Sequence, residues 1–135
     1  MDTMTDEGLQ GNEKIEAAIL ALQQEPTQEM LAHALTVIRQ RMREKGQWIV
    51  AVEPVPGAPM QLKQLQTADG KAWWYAFTSF EESLKGAEQV KSTFLAEIDK
   101  LFDAALTVPD IQGIILNPWN RTIQLDKHLI RIIKP

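Results

Sequence analysis

The hydrophobic period of this chain changes near Gly46 from that of a helix to that of a strand, and this change limits the fold more than any motif does. Before it, Ile15, Ala18, Ile19 and Leu22 recur at the spacing of one helix face. Leu31, Ala34, Leu35, Ile38 and Met42 repeat the pattern, with Glu29, His33, Thr36, Gln40 and Arg43 on the opposite side. Asn12 is the expected cap of the first helix. Pro26 stops that helix, because a residue before proline is pushed out of the α region. The second helix is expected to run from Pro26-Thr27 to about Lys45, with cations in its last turns and Gly46 as a left-handed stop. The pair predicts a short-looped N-terminal helical hairpin.

Beyond Gly46, Trp48-Ile49-Val50-Ala51-Val52 reads as a strand, broken by Pro54, Pro56, Gly57 and Pro59. A weak alternation over 60–65, an Asp69-Gly70 turn and the aromatic run 72–77 predict a hairpin. Ser79 and Glu82 stand at capping-box spacing, which predicts a short helix ending near Gly86. Leu95, Ile98, Leu101, Phe102 and Ala105 mark a later amphipathic helix that ends before Pro109. The run 113–116, the turn 117–120 and the alternating 122–125 predict a second hairpin, and Asp126 caps a last helix carrying Leu129, Ile130 and Ile133. The expected fold is α+β: a largely antiparallel sheet of about five strands, with the helical hairpin and further helices packed on it. Residues 1–11 are expected as a flexible tail and 12–135 as a single domain, a size that buries a real core without disulfides.

These features form a pattern. A Pro-Thr-x-Glu helix start lies at 26–29, Phe-Thr-Ser-x-Glu-Glu at 77–82, and Gly-Ile-Ile-Leu-Asn-Pro-Trp at 113–119, followed by Leu125-Asp126-Lys127. The order resembles the N-terminal domain family of SseB, the enhanced serine sensitivity protein, from about Asn12 to the last residue. The 113–119 block is the most specific part of the likeness. The resemblance implies a compact α+β fold and brings no established reaction and no catalytic residues to carry over.

The residues themselves also argue against catalysis. The chain has no cysteine, which removes thiol chemistry and Cys-based zinc sites. Its two histidines, His33 and His128, are far apart; His33 falls on a polar helix face and His128 beside a capping Asp126. Thr78, Ser79, Ser92 and Thr93 lie in no Gly-x-Ser-x-Gly elbow. The acid pairs Glu81-Glu82 and Glu97 with Asp99 diverge around their helices and read as solvated faces. Scattered glycines make no phosphate loop, so no nucleotide, metal or other cofactor is expected.

A net charge of −4 disfavours nucleic acid and anionic lipid as partners. A polar, acidic N-terminus and short apolar runs predict neither a signal peptide nor a membrane span, so the cytoplasm is the expected location.

The aromatics hold the remaining functional signal. In a strand, Trp73 and Tyr75 share one face, and Trp74 with Ala76 the other, so one aromatic is expected to stay partly exposed. Trp119 stands in a turn with Arg121 close by. Trp119 and Arg121 could anchor a partner protein, or Trp119 could fold back as a lid over the sheet edge or the last helix, which is the preferred reading. Trp74, Trp119 and Arg121 are therefore the candidate partner-binding residues. The sequence favours a non-enzymatic, cytoplasmic, protein-binding or adaptor module. A small-ligand sensor, or an enzyme with a pocket that cannot be located from sequence, is the alternative.

Overall fold

The computed structural model describes residues 8–53, 57, 61–84 and 93–134. Two helices, α1 (Asn12–Gln24) and α2 (Gln28–Arg43), precede strand β1 (Gln47–Glu53). Then come β2 (Gln61–Leu62), β3 (Gln64–Gln66), β4 (Ala72–Phe77), α3 (Phe80–Ser83), β5 (Thr93–Glu97), α4 (Ile98–Thr107), β6 (Gly113–Leu116), β7 (Ile123–Asp126) and α5 (Lys127–Ile133). The chain is α+β.

The helix ends follow capping chemistry, with three departures from the sequence reading. Thr27, Ser79 and Asp126 each accept a hydrogen bond from the backbone N–H three residues on, as N-caps do. Asn12 is not a cap. Gly11 takes that position and Asn12 begins the helix, its amide donating to the carbonyls of Gln47 and Thr78. At the end of α2 the left-handed residue is Lys45 (φ 65), not Gly46. Lys45 N–H donates to Met42 and Gly46 N–H to Arg41, a Schellman arrangement. Gly46 is needed for space, since a Cβ there would lie 2.8 Å from both the Arg41 carbonyl and its guanidinium.

Third, the amphipathic pattern from Leu95 is two elements. Leu95 lies in β5, paired with Ile49, and the helix begins only at Ile98. No turn residue separates strand from helix there, so the periodicity ran them together. Within the expected tail of residues 1–11, the described residues 8–11 contact the rest of the chain. Arg41 donates to the Gly8 carbonyl, and Leu9 packs against the sheet. The expected stop at Gly86 lies outside the described residues.

The sheet is mixed, not largely antiparallel, and has seven strands among the described residues where about five were expected. β4 and β6 run parallel, Trp74 opposite Ile114 and Ala76 opposite Leu116, because α3, β5 and α4 form a crossover between them. The remaining pairings are antiparallel. β1 and β4 pair only at Ile49 with Phe77 and Val50 with Ala76, then diverge. β2 follows β1 into the wedge and β3 returns along β4, with Lys63 at the apex donating to the Ala51 carbonyl.

Strand alternation sorts the side chains onto two faces. Trp48, Val50, Ala76, Ile114, Leu116 and Leu125 face the helices and meet Ile15, Ile19, Ile38, Phe102 and Ile130. Trp48 meets Phe102 edge to face at 5.5 Å. Ile49, Ala51, Trp73, Tyr75, Phe77 and Ile115 form a second cluster on the other face. Among the described residues, no helix is long and apolar enough to cross a membrane.

Candidate functional site

Two regions could carry function, one polar and one apolar, toward opposite ends of the parallel pair. The polar region stands where β4 and β6 end. Parallel strands emerge at the same end of a sheet, where open α/β sheets commonly bind ligands. Here the first residues past the strands are Thr78 and Asn117, both wholly buried. Asn117 N–H continues the ladder to the Ala76 carbonyl, and its side chain accepts from Thr78 N–H (2.9 Å) and donates to the Thr78 hydroxyl (3.0 Å). Asn117 holds a left-handed φ of 52, a conformation Asn tolerates better than most residues. Gly113 sets up this geometry from the other end of β6. With φ 158, a Cβ there would fall 2.1 Å from the Leu125 carbonyl of the neighbouring strand.

Around this pin stand three charges. Arg121 Nη1 donates to Glu16 at 3.3 Å and to Glu82 at 3.5 Å. Glu82 is 1% exposed and also accepts from Asn120 at 3.1 Å. The expected capping box is therefore half formed. Ser79 caps the Glu82 N–H, but the Glu82 carboxylate turns inward to Asn120 and Arg121. A three-residue spacing suits either outcome, and only contacts nearly forty positions downstream separate them. Sequence reading missed Glu82 for that reason. Its second oxygen has no hydrogen-bond partner among the described residues.

Trp119 lies beside this cluster, on the second face of the sheet. Its ring is 5.2 Å from Phe77 and 6.2 Å from Tyr75, centroid to centroid, and half-buried. Trp119 and Arg121 are thus both engaged within the chain. This end of the sheet is filled by its own side chains.

The apolar region is open. A cleft of about 590 Å³ lies between α4 and the helix-facing side of the sheet, toward the amino ends of β4 and β6. Its floor is Leu62 and Gln64 from the wedge strands, Trp74 from β4, and Phe94 and Ala96 from β5. α4 contributes Lys100, Leu101 and Ala104, and Val108 with Asp110 closes the end before β6. Trp74 is half-buried and Phe94 is 44% exposed. Lys100 pairs with Glu97 at 3.2 Å, while Asp110 makes no ion pair among the described residues. None of the described lining residues is a Ser, Thr, Tyr, His or Cys, and its ionisable side chains are Lys100 and Asp110.

The structure thus separates the sequence candidates. Trp119 and Arg121 lie together at the polar end, and Trp74 lies in the cleft on the opposite face. Phe94, Lys100 and Asp110 were not singled out by sequence reading. The alternation of Trp73, Trp74 and Tyr75 was the one signal pointing toward the cleft. His33 and His128 are both exposed, and no three His, Asp or Glu side chains converge to hold a metal among the described residues. The chain matches no family model, no curated protein and no solved structure.

Proposed function

We propose that this chain is a non-enzymatic binding module of the SseB-like kind, working in the cytoplasm and taking an apolar segment of a partner protein into the cleft beside Trp74. The observation that carries this reading is the cleft itself: two aromatic rings, aliphatic walls and only a few polar groups at the edge. Large, partly buried aromatics in a concave apolar site are the usual anchors of a protein interface. The SseB-like motifs have a separate place in this reading. The 77–82 and 113–119 blocks meet at the polar end, where Thr78, Glu82, Asn117 and Trp119 hold the sheet together. On this reading those motifs serve the scaffold, and the cleft serves the partner.

A second reading is a small-ligand sensor, favoured by the cleft volume, which falls within the roughly 300–1,000 Å³ of small-molecule sites. Affinity capture from the native cytoplasm, with mass spectrometry, separates the two. Phe94→Ala should lose a partner that wild type retains, while Trp119→Ala, compared at a temperature where it stays folded, should keep it. Equal capture by wild type and Phe94→Ala would remove the cleft from the interface.

A further inference from the structure

We infer that the partner segment carries a lysine or arginine next to its apolar anchor. This rests on the reading of the cleft as the partner site. The charges at the mouth lead to it. Lys100 is satisfied by Glu97, so that pair presents no net charge. Asp110 remains as the one charged lining group, among the described residues, without an ion-pair partner. An incoming anion would face Asp110, while Lys100 is already paired and the Lys127 ammonium is held on the Val108 carbonyl.

The aromatic floor points the same way. Trp74 and Phe94 both line the cleft, and the face of a tryptophan or phenylalanine attracts an ammonium or guanidinium through its ring quadrupole. A carboxylate beside such rings adds a direct counter-charge. Long basic side chains also suit an amphipathic cleft, because their stems lie on apolar surface while their heads reach the edge. The chain's net charge of −4 draws cationic segments toward it at long range. Cation and apolar group together complement what the cleft presents.

The test uses three blocked peptides, Ac-Leu-Lys-Leu-NH₂, Ac-Leu-Gln-Leu-NH₂ and Ac-Leu-Glu-Leu-NH₂, titrated into the ¹⁵N-labelled full chain at low salt. The Trp74 indole N–H resonance, assigned from Trp74→Phe, reports on the cleft. The lysine peptide should bind roughly three- to tenfold tighter than the glutamine peptide, as for a cation at a partly exposed aromatic and carboxylate. The glutamate peptide should bind weakest. Asp110→Asn should erase most of the lysine-over-glutamine preference while leaving the glutamine peptide's affinity unchanged. Equal binding of all three peptides at the Trp74 resonance would overturn the cation inference and leave the cleft reading standing. No movement of that resonance with any peptide would overturn both. A Trp74 shift that depends on protein concentration before peptide is added would assign the cleft to a second copy of the chain, and would also overturn the proposal.

Discussion

The two ends of the parallel pair use aromatic and charged residues in opposite ways. At the carboxyl end, Asn117, Thr78 and Glu82 are buried and bonded to one another or to near neighbours, and Trp119 lies on Phe77 and Tyr75. Toward the amino end, Trp74 and Phe94 stay partly open, and Asp110 has no ion-pair partner among the described residues. These bonds run between parts of the same chain, with one Glu82 oxygen left without a partner among the described residues, so the first region ties the fold together. Partly exposed apolar groups gain by being covered, which is the basis for proposing a partner at the second.

The comparison can be broken by substitution, and the largest effect belongs to the pin. Asn117→Ala leaves the buried Thr78 N–H without its acceptor and puts alanine at a left-handed position. A loss of about 2–4 kcal/mol is expected in urea unfolding. A loss below about 1 kcal/mol would show that the polar end is not what holds the two strands together.

Trp119→Ala should follow, with a loss of about 1–3 kcal/mol for a half-buried ring packed on two aromatics. Unchanged stability would return Trp119 to the role of an exposed anchor. Ser79→Ala removes the cap of α3 and should cost about 1 kcal/mol. In the cleft, Phe94→Ala should cost at most about 1 kcal/mol, since the ring is 44% exposed and loses only part of its burial. A larger loss there would make the cleft part of the core.

The smallest effect lies away from both regions. Lys134 forms ion pairs with Asp99 and Asp103, tying the end of the chain to α4. The hydrogen bond from Lys134 holds the Asp99 carboxyl below its ordinary range, and the bonds to Asp103 and Asp99 raise the Lys134 ammonium. The Asp99 contribution is present above its unfolded pKa, 3.8, and fades as pH falls through the lowered folded value. The Lys134 contribution is present below its unfolded pKa, 10.5, and fades as pH rises through the raised folded value. These groups are largely solvated, so screening keeps the effect small. Thermal unfolding of wild type and Lys134→Met should differ most between these limits and converge outside them. A constant difference across the whole range would contradict the linkage.

How much of this was legible depended on the range of the contacts. The helix faces of Ile15, Ile19, Leu35 and Ile38 follow from local spacing, as does the split of Trp73 from Trp74 across the sheet. The caps at Thr27, Ser79 and Asp126 follow from neighbouring residues. The parallel pairing of β4 with β6 does not, because nothing in either strand encodes the crossover between them. β5 was hidden because Phe94, Leu95 and Ala96 run straight into a helix and owe their strand form to β1. Asn12 and Glu82 looked like local capping residues, yet their side chains bond to residues 29 to 66 positions away. The cleft draws on five stretches of chain, and each of its residues alone reads as ordinary core or surface.

The most direct test follows the four tryptophan indole N–H resonances while the neutral peptide Ac-Leu-Gln-Leu-NH₂ is titrated into the ¹⁵N-labelled chain. Trp74 should move in a saturable way while Trp48, Trp73 and Trp119 stay in place. Saturable movement of Trp119 with Trp74 unmoved would place the binding surface at the polar end and contradict the assignment made here.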